Sequence, residues 1–313
     1  MILVAGSANI DFVTQVDHIP APGETVLGGD YRLSPGGKGA NQAVACARAR
    51  GGRRPGGAAP GVLFLGALGP DPFAATLRES LAGSGVTDLT LNLDRPTGAA
   101  FISVSRAGEN AISVASGANA LLAPEHLPAL DGVTHLILQL EIPLATVAAY
   151  AAAARAAGVK VVLNAAPARA LDASLLGLID LLVVNEGELR QVLEAAHRPA
   201  EPELHRQLQT ALELGPGTVL VTLGERGSVA AERPQSGGEA NLTEVPSHPV
   251  QVRDTTGAGD TYVGVLVAAL SEGLPLTQAM RRASVGAALA CTRDGAQPSM
   301  PERAEIEAAL SPG

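Results

Sequence analysis

The chain has 313 residues, of which 46% are hydrophobic, and a formal net charge of −9 at pH 7. This length can bury a large core, and the acidic balance argues against a surface that binds nucleic acid. The two cysteines, Cys46 and Cys291, each lie within an alanine-rich helical pattern, which predicts buried free thiols rather than a disulfide or a metal pair. The chain begins without a basic leader pattern, and no uncharged apolar run reaches membrane-spanning length, so we expect a cytoplasmic protein without a membrane partner.

Short apolar runs alternate with helical patterns along most of the chain. Strands are predicted at residues 2–6, 62–68, 135–140, 159–164, 181–185 and 218–223. Helices are predicted at residues 144–157, 186–196, 258–271 and 276–292. The alternation predicts an α/β fold, with a doubly wound, mostly parallel sheet, helices on both faces and ligands beyond the carboxyl ends of the strands. Four polar residues fall at predicted strand ends and fit this rule, namely Asn9, Glu141, Asn164 and Asn185.

Two segments interrupt the alternation and predict a second, smaller sheet. Residues 12–35 carry turn signals and β-type residues without a helical pattern. Residues 99–105 and 110–115 flank the turn Arg106-Ala107-Gly108-Glu109 in the pattern of a hairpin. We expect these segments to form a sheet apart from a main domain, which would comprise residues 1–11, 36–98 and 116–313.

The turn Asp254-Thr255-Thr256-Gly257-Ala258-Gly259-Asp260 leads directly into an apolar helical stretch. Gly257 and Gly259 let the backbone approach a ligand, and the start of the helix adds the positive end of its dipole, so the turn predicts an anion site. Asp260 lies where a carboxylate can take a proton from a hydroxyl while amides hold developing negative charge. The combination suits phosphoryl transfer to an alcohol, and a glycine-rich turn capped by an aspartate is the plainer alternative.

Three common signatures of other enzyme classes are absent from the sequence. Lys38 is followed by Gly39, so there is no P-loop, and neither glycine cluster fits the dinucleotide fingerprint Gly-x-Gly-x-x-Gly after a strand. The motif Gly-x-Ser-x-Gly, which would indicate a hydrolase elbow, does not occur.

Residues 48–61 predict a solvated basic loop, for which a phosphate-binding arm is the alternative.

Polar residues lie beside glycines in the N-terminal part of the chain. Asn9 and Asp11 alternate along an extended backbone, so they share a face on which an amide and a carboxylate can bind neighbouring hydroxyls. Turn capping is the alternative for both residues. Gly37 and Gly39 permit a close approach to a small ligand, and we expect Asn41 to begin the next helix.

Carboxylates also follow two later strands. Glu141 ends an apolar strand, where a carboxylate needs a partner, either a sugar hydroxyl or a structural arginine. Asn185 and Glu188 share one face of the first turn of a helix, a spacing that suits phosphate and a hydrated Mg²⁺ ion. A plain N-terminal helix cap is the alternative for this pair.

Taken in order, the motifs resemble those of the ribokinase family of sugar kinases. They lie at residues 6–11, 22–25, 36–42, 138–141, 164–169, 185–188 and 254–261. The resemblance extends from about residue 1 to about residue 299. It implies ATP-dependent phosphorylation of D-ribose at its primary hydroxyl, O5, to give D-ribose 5-phosphate and ADP.

Two alternatives stay open beside ribose phosphorylation. A sister kinase would act on fructose, deoxyribose or an adenosine-type nucleoside, although a nucleoside base usually needs aromatic stacking and the chain has no Trp, three Tyr and four Phe. A non-catalytic sugar or nucleotide sensor is the alternative of another class. Retention of Asp260 together with the whole anion turn argues against a sensor, which has no need of a base.

The resemblance also implies a role for each site residue. Catalysis would use Asp260 as the base and the amides of Gly257, Ala258 and Gly259. The sugar would be bound by Asn9, Asp11, Gly37, Lys38, Asn41, Glu141 and Asp260. ATP and Mg²⁺ would be bound by Asn185, Glu188, Thr222, Gly224, Gly227, Gly259 and Ser284. A potassium ion would be bound, mostly through backbone oxygens, by Asp254, Thr256, Ala290, Arg293, Gly295 and Ser299.

A lid and one departure complete the expectations from the resemblance. Residues 12–35 and 99–115 would form a β-sheet lid over the sugar and the contact surface of a homodimer. Open strand edges and an apolar face favour such a contact because both need covering. Asp294 stands where the family often has a basic residue, which changes the charge beside the expected cation and leaves carbonyl ligation possible.

Overall fold

The computed structural model describes residues 1–52, 61–198, 201–234 and 239–311. Its strands are β1 (Ile2–Ala5), β2 (Asn9–Val16), β3 (Tyr31–Gly36), β4 (Val62–Leu65), β5 (Ala67–Leu68), β6 (Thr87–Asp88), β7 (Leu91–Asn92), β8 (Gly98–Ser105), β9 (Asn110–Ala115), β10 (His135–Leu138), β11 (Lys160–Asn164), β12 (Leu181–Asn185), β13 (Thr218–Thr222), β14 (Ser228–Glu232) and β15 (Asn241–Val245). Its α-helices are α1 (Lys38–Ala49), α2 (Pro72–Gly83), α3 (Leu144–Ala156), α4 (Ala173–Leu176), α5 (Glu186–Ala195), α6 (Leu204–Glu213), α7 (Ala258–Ser271), α8 (Leu276–Ala290) and α9 (Arg303–Leu310).

The main sheet has the strand order β15-β14-β13-β12-β11-β10-β1-β4-β6. Neighbouring strands from β6 to β13 are parallel, whereas β14 and β15 add an antiparallel edge. Ile2 and Val4 of β1 belong to an apolar layer shared with α1, α7 and α8. Leu3 and Ala5 belong to the opposite layer, shared with α3, α5 and α6. Both faces are therefore covered, and the predicted doubly wound, mostly parallel sheet is confirmed.

Predicted and observed elements differ near the N-terminus. The predicted strand at residues 62–68 is divided into β4 and β5, and β5 pairs with β7 outside the main sheet. Asn9 begins β2, so its predicted place at the end of a strand is wrong. Helix α1 begins at Lys38 and not at Asn41, because Gly37, with a φ of 87°, turns the chain from β3 directly into the helix.

The second sheet, in the order β3-β2-β8-β9, is also confirmed. Strands β2 and β8 are parallel, and the outer pairs are antiparallel. One face includes Asp11 and borders a cavity. On the other face, Phe12 stacks on Phe101 with ring centroids 5.2 Å apart and meets Phe73 of α2 edge-on at 5.7 Å. Phe101 is nevertheless 52% exposed, so part of this aromatic face is uncovered.

No helix in the described part of the chain has both the length and the apolarity of a membrane span. Both cysteines are free thiols, but Cys291 is only half-buried, so the prediction of two buried thiols holds for Cys46 alone. Residues 53–60 of the predicted basic loop lie outside the described residues. Arg48, at its start, belongs to α1 and donates to the carbonyls of Gln297 and Met300 at 2.8 Å.

Candidate active site

The turn before α7 has the backbone of an anion-binding turn. Gly257 is the N-cap of the helix and has a φ of 75°, which glycine adopts without strain. Asp254 stabilises the turn, because its Oδ1 accepts hydrogen bonds from the amide of Thr256 at 2.9 Å and from its hydroxyl at 2.7 Å. The N–H groups of Gly259 and Asp260 lie in the first helical turn, which leaves N–H groups without partners within the helix. Together with the helix dipole, these groups favour a bound anion.

The turn opens into a cavity of about 170 Å³ at the carboxyl ends of β11, β12 and β13. The cavity brings together residues from distant parts of the chain, among them Lys38, Asn164, Asn185, Glu188, Thr222, Gly257, Gly259 and Asp260. Its position at the strand ends is where doubly wound folds bind ligands. Among the predicted anion-binding amides, that of Ala258 already donates to the carbonyl of Thr255 at 3.2 Å.

Asp260 is nearly buried, and each of its carboxylate oxygens has an amide donor. Its side chain belongs to the first turn of α7 and the residue is 9% exposed. Asn41 Nδ2 donates to Oδ2 and Gln42 Nε2 donates to Oδ1, both at 2.9 Å. Helices α1 and α7 can approach this closely because of Gly264, where a Cβ would lie 2.6 Å from the Cβ of Ala45. The carboxylate is therefore held in place beside the anion turn.

Lys38 lies at the centre of a group of carboxylates. Burial lowers the pKa of its ammonium group, but the surrounding negative charges outweigh burial and raise that pKa above its usual value. The charges are those of Asp260, Glu141, Glu188 and Asp11. Lys38 is therefore a fixed positive charge that faces both the sugar residues and the phosphate residues of the predicted site.

Asp11 is a second buried carboxylate, 8% exposed, on β2. Burial is the main cause that raises the pKa of Asp11 to about 7, and the negative charges of Glu141 and Asp260 add to the shift. Lys38 opposes it. Asp11 borders a cavity of about 530 Å³ between the second sheet and the segment that contains Asp254. A polar ligand in this cavity could supply hydrogen bonds to the carboxylate.

The partners of Glu141 and Asn9 lie within the protein. Glu141 Oε2 accepts hydrogen bonds from the hydroxyl of Ser7 at 2.6 Å and from the amide of Lys38 at 3.2 Å. A serine and a backbone amide thus take the place of the structural arginine that the sequence allowed. Asn9 Oδ1 accepts from Asn119 Nδ2 at 2.8 Å, so a neighbouring amide holds this side chain.

Gly37 and Gly39 permit a close approach of backbone to backbone. A Cβ on Gly37 would lie 2.7 Å from the backbone nitrogen of Asn9, and one on Gly39 would lie 2.7 Å from the carbonyl carbon of Gly6. The close approach is therefore to the backbone between β1 and β2. It fixes the start of α1, and hence Lys38, against the other site residues.

Asn185 and Glu188 form a reciprocal cap at the start of α5. Asn185 Oδ1 accepts from the amide of Glu188 and Glu188 Oε2 accepts from the amide of Asn185, both at 2.8 Å. The helix-cap alternative is thus present in the structure, yet both residues also line the cavity beside Asp260. Burial is the main cause of a raised pKa for Glu188. The carboxylate of Glu188 at a phosphate-sized cavity fits a hydrated Mg²⁺ ion, which takes few protein ligands.

The other predicted nucleotide residues lie in three places. Thr222 ends β13 and lines the cavity. Gly224 and Gly227 bound the next turn with φ values of 59° and 90°, and open space surrounds Gly224. Ser284 lies on α8, where its hydroxyl donates to the carbonyl of Pro246 at 2.9 Å and so joins two segments of the protein.

The two segments that carry the predicted potassium ligands lie side by side. The amide of Gly295 donates to Asp254 Oδ2 at 2.8 Å, and the amide of Asp254 donates to the carbonyl of Cys291 at 3.2 Å. Arg253 forms a bidentate ion pair with Asp294. Asp294, which stands where the family often has a basic residue, thus has a partner in the facing segment. The structure therefore brings Asp254, Thr256 and Gly295 together.

The remaining predicted potassium ligands are arranged around the same loop. The carbonyl of Ala290 accepts from the amide of Arg293 at 3.1 Å, and the hydroxyl of Ser299 donates to the carbonyl of Ala296 at 2.8 Å. Within the described ranges, no group of three or more His, Cys, Asp or Glu side chains is arranged to hold a metal. Backbone oxygens are thus the main ligands that this loop offers, and oxygen ligands suit a hard cation.

Sequence reasoning missed several buried amides around the site. They are Gln42, Asn119, Gln139 and Gln297. Gln139 carried a signal, because it is a polar residue within the apolar run that ends at Glu141. Gln42 lay within the glycine-rich segment but was given no role. The hydrogen bonds that make these amides relevant join residues far apart in the sequence, so periodicity could not reveal them.

Known proteins match this chain along almost its whole length. The sequence pattern described as pfkB family carbohydrate kinase covers residues 1–303. The ribokinase of Haemophilus influenzae is 37% identical over 310 residues, which is 97% of this chain and 96% of that protein.

Solved structures give the same fold. The ribokinase of Thermotoga maritima has a TM-score of 0.87 and 34% identity, covering 99% of this chain and 98% of the other. The ribokinase of Arabidopsis thaliana complexed with ribose and ATP has a TM-score of 0.84 and 30% identity, covering 100% and 99%. The resemblance found in the motifs is confirmed.

Proposed function

The chain belongs to the pfkB family of carbohydrate kinases, and on that premise we propose that it phosphorylates D-ribose at O5, giving D-ribose 5-phosphate and ADP. The relatives support the coarser statement directly, since they make the chain a ribokinase-type sugar kinase that uses ATP. The choice of ribose is supported by the order of the motifs and by a relative that was solved with ribose and ATP.

One observation carries the proposed chemistry. Asp260 has both oxygens held at the start of α7 and faces the same cavity as Gly257 and Gly259. The O5 hydroxyl of ribose gives its proton to Asp260 while its oxygen forms a bond to the γ-phosphorus of ATP. The bond between that phosphorus and the bridging oxygen breaks, and the electron pair leaves with ADP. The N–H groups of the turn, those of Gly259 and Asp260 first among them, stabilise the negative charge of the transferring group.

The sugar is assigned to the corner formed by α1 and the second sheet. Asn9, Asp11, Lys38 and Glu141 all lie there, and Asp11 borders the larger cavity. Asp11 and Lys38 offer an acceptor and a donor to neighbouring hydroxyls. Asn41 contributes to this part of the site through Asp260, because its side-chain N–H donates a hydrogen bond to that carboxylate.

The nucleotide is assigned to the strand ends that line the smaller cavity beside Asp260. Thr222, Gly224 and Gly227 would contact it, and Asn185 and Glu188 would hold the hydrated Mg²⁺ ion. A bound Mg²⁺ ion supplies neutralisation of phosphate charge. Lys38, which lines the cavity beside Glu188, adds a fixed positive charge from the protein itself.

The loop at Asp254 and Gly295 is assigned to a potassium ion. Its hydrogen bonds already connect this loop to the anion turn, so a cation there would help to order the turn's N–H groups. We expect the rate in sodium or Tris buffer to rise when potassium replaces it at constant ionic strength. Equal rates in potassium, sodium and choline salts would count against this site.

The second sheet is assigned to a lid, with boundaries at residues 12–35 and 99–115, that covers the sugar and joins two subunits in a homodimer. Tyr31 and Phe101 support this assignment, because they are 66% and 52% exposed on an aromatic face. Exposed apolar surface on a sheet favours a partner. We place the protein in the cytoplasm, in keeping with its free thiols.

The test of the substrate is a panel of acceptors with purified protein and ATP, read as ADP release. We expect the highest kcat/KM with D-ribose among ribose, deoxyribose, fructose and adenosine. A higher kcat/KM with another acceptor would assign the chain to a sister kinase. Tight binding of ribose without ADP release from any acceptor would favour the sensor alternative.

A further inference from the structure

A connected set of buried amide side chains surrounds the carboxylate of Asp260. Gln42 bonds one of its oxygens and Asn41 bonds the other. Behind Gln42, Gln139 Nε2 donates to Gln42 Oε1 at 2.7 Å. Behind Asn41, Gln297 Nε2 donates to Asn41 Oδ1 at 3.1 Å. Gln139 and Gln297 are 0% and 1% exposed, so these two outer glutamines act from the protein interior.

The outer glutamines determine which end of each inner amide meets the carboxylate. An amide side chain has a donor end and an acceptor end. Gln139 and Gln297 present N–H groups to the oxygens of the inner pair. Gln42 and Asn41 must therefore turn their own N–H groups toward the carboxylate, since the reverse orientation would oppose oxygen to oxygen at Asp260 and N–H to N–H at the outer glutamine. Gln42 Nε2 also donates to Asn164 Oδ1 at 3.0 Å, which favours the same orientation.

The position of Gln297 is fixed by two helices and does not depend on a substrate. Its Oε1 accepts from the hydroxyl of Ser80 on α2 at 2.6 Å. Its carbonyl accepts from Arg48 on α1 at 2.8 Å. The outer amide is thus already in place in the free protein, which is the condition for a preorganised site.

Gln139 has one buried polar atom that its donation to Gln42 does not use. Its Oε1 is buried and has no hydrogen-bond partner in the part of the chain that the structure describes. An unpaired buried oxygen is unfavourable, and an apolar side chain between Leu138 and Leu140 would avoid that loss. Stability therefore does not explain a glutamine here, whereas its N–H donation to Gln42 does.

We propose that Gln139 and Gln297 are positioning residues, which lock Gln42 and Asn41 with their donor ends on Asp260 and so keep this carboxylate oriented. The inference rests on the proposed role of Asp260 as the base. Hydrogen bonds to the charged form of a carboxylate favour ionisation. Loss of either lock would let an inner amide rotate, leave an oxygen of Asp260 without its donor, and move the onset of activity to higher pH.

The test compares Gln139→Met with the wild type in kcat and KM for ribose as a function of pH, together with thermal unfolding. Methionine keeps the volume and removes both the donor and the unpaired oxygen. We expect kcat near neutral pH to fall about tenfold and the acidic limb of the kcat profile to move up by about one pH unit, with KM changed by less than about threefold. The melting temperature is expected to stay unchanged or to rise. Gln297→Met should shift the profile in the same direction.

Thr146→Val is the matched control for loss of a buried hydrogen bond away from the site. The hydroxyl of Thr146 donates to the carbonyl of Leu122 at 2.7 Å, and the residue is 2% exposed. This variant should lose stability and keep the acidic limb of the wild type. If Gln139→Met behaves in that way, its role is structural and the inference is wrong.

Asp260→Asn in the same series separates the inference from the proposed function. If Asp260→Asn is inactive while Gln139→Met and Gln297→Met keep the wild-type pH profile, the positioning role fails and the base assignment stands. If Asp260→Asn retains turnover, the base assignment fails and the inference fails with it. If Asp260→Asn is inactive and both glutamine variants shift the acidic limb upward, both are supported.

Discussion

Asp260 and Asp11 are two aspartates with almost the same exposure, 9% and 8%, that face the same Lys38 and differ in their hydrogen bonds. Asp260 has an amide donor on each oxygen. For Asp11, the described residues supply no such donor, and burial is the main cause that raises its pKa to about 7. Two carboxylates with the same burial can therefore differ in hydrogen bonding, because protein donors replace the water that burial removes from one of them and not from the other.

The difference matches the two proposed roles. A base that accepts a proton during phosphoryl transfer works best when it is oriented before the substrate arrives, and the amides around Asp260 provide that order. A carboxylate that binds sugar hydroxyls needs acceptor capacity, and Asp11 has it. In the free protein both carboxylate oxygens of Asp260 already have hydrogen-bond donors. The donors for Asp11 would come from a bound ligand.

The largest effect is expected from Asp260→Asn, which removes the proposed base. The amide keeps the shape of the side chain but cannot take the proton, so kcat should fall by about 10²- to 10⁴-fold. Ribose affinity, measured by titration calorimetry, should stay close to that of the wild type. A variant with near-normal kcat would rule out Asp260 as the base.

A smaller effect is expected from Asp11→Ala, which removes a carboxylate that we propose binds the sugar. Sugar hydroxyls would lose an acceptor, at a cost of about 1–3 kcal/mol. KM for ribose should therefore rise by about 5- to 150-fold, with kcat at saturating ribose largely retained. Asp17→Ala is the matched control, since Asp17 follows β2 and pairs with Arg106 at the surface. A change confined to the KM for ATP would show that the sugar lies elsewhere.

The smallest effect on the reaction is expected from a change on the second sheet, which carries Asp11. Phe101→Asp places a charge on the exposed aromatic face and should convert the proposed homodimer into a monomer in light scattering. Leu242→Asp is the control, because Leu242 is 46% exposed on β15 at the edge of the main sheet. A wild-type monomer at micromolar concentration with full activity would contradict the dimer.

The sequence predicted those features that arise from short-range patterns. The apolar runs of β1, β10 and β12 and the helix that starts at Ala258 were predicted because periodicity and glycine placement are local signals. The antiparallel edge of β14 and β15 was not predicted, since nothing in a single strand states its partner.

The difference in hydrogen bonding between the two aspartates also lies beyond the sequence. The motifs predicted a base at Asp260 and a sugar ligand at Asp11, but they do not indicate which of the two has donors on both oxygens. Their difference depends on Asn41 and Gln42, which meet Asp260 only because α1 packs against α7 at Gly264. It also depends on Glu141, which is far from Asp11 in the sequence and whose charge adds to the raised pKa of Asp11. Such effects require the folded distances.

Proton release on ribose binding tests the central comparison most directly. With a pKa of about 7, Asp11 is about half protonated in the free protein at neutral pH, and hydroxyls that donate to it favour the ionised form. Titration calorimetry near pH 7 in two buffers of different ionisation enthalpy should report release of up to about half a proton, and affinity should fall as pH drops below about 7. Asp260→Asn should keep part of this release, because burial, the main cause of the raised pKa of Asp11, is unchanged in that variant, and Asp11→Asn should abolish it. Ribose binding without proton exchange, or release that persists in Asp11→Asn, would contradict the account.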